Sequence, residues 1–191
     1  MKDSLLSKEI LPFLLVFIGL IGLAIVIDAI LHLFDLVWVG RWLGVLGTIF
    51  ILLSLLYSMR KRKKIQFGEP KTLLKWHEAL TLLGALMILL HAGIHFYAIL
   101  PWLALAAMMV SVISGMTGRY LLNRSRRFIA ERRAELIQQE HTPEDEKNLF
   151  QEAVTVDLMK KWRTVHLPIT FTFAVLSLAH IISILLYWEW K

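Results

Sequence analysis

LMILLHAGIHFYAIL, residues 86–100, places His91 and His95 four positions apart in an otherwise apolar run. Outward from these residues the apolar character extends over about 73–99. That exceeds the roughly 20 residues a helix needs to cross a bilayer. Four further runs reach or approach this length, at about 10–34, 42–59, 102–122 and 164–188. A transmembrane β-barrel would instead show short alternating segments, because in lipid every backbone polar group must be satisfied internally. The expectation is an all-α integral membrane protein with five transmembrane helices.

Bulk composition agrees. The 191 residues are 57% hydrophobic, and the mean hydropathy is +0.62. The flank MKDSLLSKEI mixes acids and bases, and no small-residue cleavage site follows the first run, so that run is expected to remain as an anchor. There is no cysteine. Disulfides, thiolate-held iron–sulfur clusters and covalently attached c-type haem are thereby excluded for this chain. Any redox cofactor has to be held by histidine or without covalent bonds.

Basic residues give an orientation. With the N-terminus inside, segments 1–9, 60–75 and 119–163 are internal and carry 19 of the 21 Lys and Arg, leaving only Arg41 and Lys191 outside. This asymmetry obeys the positive-inside rule and puts the C-terminus outside. It also accounts for the pI of about 9.7, so the charge gives no argument for nucleic acid. RKRKK at 60–64 can attract the anionic headgroups of the lipid bilayer, but as a topology anchor it needs no further role.

The connections are short. DLVWVGR is expected to join the first two helices, and LPW at Leu100, Pro101 and Trp102 to form a tight hairpin between the third and fourth. Segment 60–72, with Gly68 and Pro70, reads as a turn into the third helix. The one sizeable extramembrane piece is 123–163. Thr142 as N-cap and Pro143 at the first helical position, followed by acids, form a helix start. Two short surface helices are expected, at about 125–139 and 143–161. No Gly-rich phosphate loop occurs anywhere, so the chain has no flavin or nicotinamide module of its own.

The histidine spacing carries the chemistry. Of the seven histidines, His77 and His91 are 14 residues apart, and so are His166 and His180. At 100° per residue, 14 positions return to within about 40° of one face, and at 1.5 Å rise they span about 21 Å. The third and fifth helices run in the same direction, so His77 pairs in depth with His166 near the inner face, and His91 with His180 nearer the outer. Each level offers two imidazoles from different helices, the arrangement for axial ligation of a haem iron. Two levels predict two stacked b haems in a haem-binding bundle. Gly84 lies midway between His77 and His91, where a helix facing two macrocycles is expected to be thin. Ligation by His95 in place of His91 would mismatch the spacings, 18 against 14, and tilt the outer haem by about 6 Å.

Paired histidines of this kind resemble the cytochrome b core of quinol:cytochrome c oxidoreductases. Their placement on the third and fifth helices is more similar still to the ferric-reductase-like transmembrane family. The strings WHEALTLLGALMILLHAGIHF, SGMTGRYLLNRSRR and WRTVHLPITFTFAVLSLAH are similar to small prokaryotic di-haem b cytochromes that work with separate iron–sulfur or flavin proteins. The resemblance covers about 73–188. It implies His77, His91, His166 and His180 as axial ligands and electron transfer across a membrane, the cytoplasmic membrane of a prokaryote. No flavin or nicotinamide domain follows the last helix and a sixth helix is missing, which implies a subunit of a larger assembly.

Other residues fit around this frame. Haem propionates attract cations, and near the inner level Lys75, Arg119 and Arg163 are the candidates. Trp76 and Trp162 read as interfacial belt residues. Asp28 and His32, i,i+4 neighbours near the outer end of the first helix, form with His95 a candidate set of quinone or proton-exchanging groups. Glu78 is the equivalent on the inner side.

The expected function is a membrane cytochrome b subunit passing electrons between a quinone pool and a redox partner (an iron–sulfur, flavin or multihaem protein) docked on 123–163. Two rivals remain. One is a transmembrane reductase of an external acceptor such as ferric iron. The other, of a different class, is a histidine-based metal transporter or a non-redox assembly subunit.

Overall fold

The computed structural model describes residues 11–93, 99–138 and 143–187, with side chains described outside 12–13 and 121–160. Five helices follow in order: α1 (Leu11–Leu33), α2 (Val37–Lys61), α3 (Pro70–Ala92), α4 (Ile99–Gln138) and α5 (Pro143–Tyr187). Each contains a stretch long and apolar enough to cross a membrane. The outward faces are apolar: Leu15, Ile25, Val165 and Leu186 are all well exposed. In water such a surface would drive aggregation, whereas in lipid it is the solvated face. The chain is a helical membrane protein.

The helices pack as two antiparallel hairpins, α2 with α3 and α4 with α5, joined mainly through α3 and α4, with α1 against α3. The centre is small. Ala85, Met108 and Val112 form it, with Phe17 of α1, Leu82 of α3 and Phe173 of α5 packed around them. Without a hydrophobic effect between helices in lipid, close backbone approach does much of the work of association. Gly47 and Gly84 provide it: a Cβ built on either would come within 2.9 Å of the other's carbonyl oxygen.

Several expected boundaries need correction. The helix α2 starts at Val37, so most of DLVWVGR is helix, and only residues 34–36 turn the chain, with Asp35 at φ 53°. Asp accepts this left-handed conformation because its short polar side chain bonds locally. LPW is not the hairpin either. Pro101 falls in the first turn of α4, where a missing N–H costs nothing because it has no intrahelical partner. The turn into α3 is as expected, with Gly68 at φ 79° and Pro70 at the helix start.

The two short surface helices are not separate. The α4 helix continues to Gln138 and α5 runs unbroken from Pro143 through the membrane span. Both therefore extend well past their apolar segments, Ile99–Tyr120 and Lys161–Tyr187. The 18 residues of α4 beyond its span reach about 27 Å. Pro168 is accommodated inside α5, where the hydroxyl of Thr172 donates to the Pro168 carbonyl at 3.0 Å.

Candidate functional site

The helix α2 presents a stripe of small residues, Gly40, Gly44, Gly47 and Ser54, to the histidine face of α3. Three of the four, Gly40, Gly47 and Ser54, are buried. The register is antiparallel and regular. His77 stands opposite Ser54, Gly84 opposite Gly47 and His91 opposite Gly40. The backbone carbonyls of Ser54 and Gly40 are thus 14 residues apart, matching the two histidines. His77 Nδ1 donates to the Ser54 carbonyl at 3.0 Å, and His91 Nδ1 donates to the Gly40 carbonyl at 3.1 Å.

These bonds have a chemical consequence. A neutral imidazole whose Nδ1–H is committed to a carbonyl carries its lone pair on Nε2, and the bond fixes the ring. Both α3 imidazoles are therefore fixed in tautomer and orientation by α2. Space for one of the rings is also made by α2: a Cβ at Gly44 would stand 2.7 Å from the His91 ring.

The α4–α5 hairpin treats His166 comparably. Its Nδ1 lies 3.0 Å from the Ser114 hydroxyl, and Gly115 is the glycine of α4 nearest its ring. Trp162 stacks on His166, with centroids 4.7 Å apart and planes 18° from parallel. Its indole N–H donates to the Ser114 carbonyl at 2.8 Å, and the ring fills the space where a Gly118 side chain would be. Trp162 is thus a packing partner of His166, which its expected place in an interfacial belt does not convey.

The two hairpins bring His91 and His180 together. The His91 and His180 rings lie 6.4 Å apart, centroid to centroid, at an interplanar angle of 53°. Two axial bonds of about 2 Å, plus about 1 Å from each Nε2 to its ring centre, would separate imidazoles on opposite sides of one iron by about 6 Å. The pair fits that span. At the other end, His166 and His77 are within electrostatic reach of each other, and Tyr57 lies 5.5 Å from the His77 ring. Among the described residues no three His, Cys, Asp or Glu side chains converge as a metal cage.

Compared with family models, curated proteins and solved structures, the chain finds no match. The site therefore rests on its own geometry.

The remaining expected residues divide. Gly84 shares the histidine face, but it is the contact with Gly47 that its missing side chain serves, which corrects the reading of it as room for a macrocycle. Phe173, midway along α5 between the histidines, packs into the central cluster. Arg119 is engaged by Glu78, N to O 3.2 Å, so these two expected groups answer each other. Lys75 and Arg163 are exposed. Arg163 lies within electrostatic reach of Lys61 at the end of α2, a cation the sequence reading passed over, which also sits 5.9 Å over the Tyr57 ring.

At the end of the bundle where His91 lies, His32 Nδ1 is 2.9 Å from the Asp28 carbonyl oxygen and 3.6 Å from its carboxylate. The Asp28 carboxylate also packs against Gly93, the C-cap of α3, which puts it two residues beyond His91. Its Oδ1 is buried with no hydrogen-bond partner among the described residues. His95 lies outside the described residues.

Proposed function

We propose that this chain is a di-haem b cytochrome, the membrane electron-transfer subunit of a larger oxidoreductase in a prokaryotic cytoplasmic membrane, with its N-terminus inside. The observation that carries the proposal is the His91–His180 pair, 6.4 Å apart, with His91 Nδ1 already committed to a carbonyl. His77 and His166 form the second pair, with Nδ1 of His77 committed to the Ser54 carbonyl and that of His166 set against the Ser114 hydroxyl. A b haem bound at each pair would supply a one-electron ferric/ferrous couple.

The chain's own residues set the surroundings. Four imidazoles hold two levels about 21 Å apart along the helices. Lys61, Lys75 and Arg163 supply cationic partners for propionates at the inner level. Asp28 and His32 are placed to exchange protons at the outer end, as quinone chemistry requires. The helical extensions of α4 and α5, 121–160, are long enough to dock a redox partner carrying iron–sulfur, flavin or further haem groups.

The test is a reduced-minus-oxidised absorption spectrum of the purified chain, with haem quantified per polypeptide. Two b haems per chain are expected, falling to one in His91→Ala and in His180→Ala and staying at two in His95→Ala. A colourless protein expressed with ample haem supply would sink the proposal.

A further inference from the structure

At the end of the α2–α3 hairpin that carries the basic run, a cleft of about 430 Å³ opens between the two helices. Two ridges of i, i+4 spacing wall it: Leu53 and Tyr57 on α2, with Lys61 next in the row, and Thr72, Trp76 and Leu80 on α3. From Thr72 to Leu80 the α3 wall rises about 12 Å. The polar groups of the lining bond to one another or to the backbone. Ser54 Oγ donates to the Ile51 carbonyl at 2.7 Å, and His77 Nδ1 donates to the Ser54 carbonyl. The Thr72 hydroxyl donates to the Glu69 carboxylate at 3.2 Å. What faces the cleft is therefore almost entirely apolar. Leu53 and Trp76, 45% and 56% exposed, open it to the lipid side.

Positive charge stands at one end of this groove. Lys61 Nζ lies 5.9 Å over the Tyr57 ring. Arg60 Nε donates to the Gly68 carbonyl, at the rim of the cleft, at 3.1 Å, and a guanidinium has further N–H donors beyond that one. Arg163 of α5 is within electrostatic reach of Lys61. Among the described residues neither Lys61 nor Arg163 is paired with a carboxylate.

We propose that this cleft holds one acyl chain of an anionic phospholipid, with the headgroup phosphate on Lys61 and Arg60. Apolar walls along the helix axis suit a hydrocarbon chain lying parallel to the helices. A phosphodiester supplies the anion that the like-charged Lys61 and Arg163 lack. Phe67 and Trp76 stand beside these cations, and aromatic side chains concentrate at headgroup depth. A zwitterionic lipid brings the same chain, but its cationic head group cancels the attraction. The three N–H donors of Lys61 also leave room for its contact with a propionate. The inference does not depend on haem.

The experiment uses the full chain, purified and delipidated in mild detergent, and counts bound lipid by native mass spectrometry. The probes are palmitoyl-oleoyl phosphatidylglycerol and phosphatidylcholine, which share their chains and differ in headgroup charge. One phosphatidylglycerol is expected to bind about fivefold or more tightly than phosphatidylcholine. Lys61→Gln should lower phosphatidylglycerol binding about fivefold and leave phosphatidylcholine unchanged. Leu53→Trp and Leu80→Trp fill the cleft from opposite walls, and each should weaken both lipids about tenfold. Arg41→Gln, at the other end of α2, should change neither. Unfolding midpoints are read on the same samples, and either filling variant suffices if the other fails to fold. Equal binding of the two lipids in the wild type, or binding undiminished by filling the cleft, would overturn the proposal. So would displacement of phosphatidylglycerol by inorganic phosphate, which would show a site for the anion alone.

Discussion

Gly47 and Gly84 face each other across the α2–α3 crossing, each occupying the place where the other's Cβ would stand. This contact fixes the register, and the register sets His77 on Ser54 and His91 on Gly40. A single packing decision in the middle of the hairpin therefore orients both α3 histidines at once.

It follows that Gly84→Val should act at both levels. The added side chain meets backbone, which cannot move aside, so overpacking of about 1–3 kcal/mol is expected. Thermal unfolding in detergent should show a lower midpoint, and both haems should be depleted together. Loss of only one haem, with an unchanged midpoint, would show that the register does not couple the two levels.

Gly44→Ala should discriminate between the levels. Its methyl would stand 2.7 Å from the His91 ring, so the outer haem alone is expected to be lost or shifted in potential. Gly19→Ala is the control, since nothing lies within 4 Å of its Cβ position. That change should be silent for haem and gain about 0.5–1 kcal/mol from helix propensity. Equal haem content in Gly44→Ala and Gly19→Ala would contradict the placement of His91.

Trp162 is expected to be needed at the inner level. Trp162→Ala removes both the stack on His166 and the bond to the Ser114 carbonyl, and should reduce inner haem occupancy. Trp162→Phe keeps a ring and loses only the hydrogen bond, at about 1 kcal/mol. The predicted order of inner haem retention is wild type, then Phe, then Ala, read from the redox titration. If both variants match wild type, Trp162 is only an interfacial residue.

The sequence makes the spans legible because apolar length reports the bilayer, and a 14-residue interval places His77 and His91 on one face of α3. The helix ends are less legible. Trp38, Val39 and Gly40 look like loop between two apolar runs, yet they are the first turn of α2, since tertiary packing against α3 needs Gly40 in helix. Gly84 packs on Gly47 of α2, a partner that a face shared with histidines does not announce. The complementary signal was present in Gly40, Gly44 and Gly47, spaced by four and three, a small-residue stripe of the kind that admits a close helix. Side-chain partners such as Trp162 with Ser114, 48 residues apart, leave no local pattern to read.

Orientation can be tested directly because the chain has no cysteine, so any introduced thiol is unique. Arg41→Cys lies in the first turns of α2 and Lys64→Cys beyond its other end. The concentration of Lys and Arg at 60–64 and 119–163 places the second end inside by the positive-inside rule. In intact cells a membrane-impermeant maleimide should label Arg41→Cys and spare Lys64→Cys until the membrane is opened. The reverse pattern would invert the protein. It would then move Lys61, Arg163 and the long ends of α4 and α5 to the outer side, and the redox partner with them.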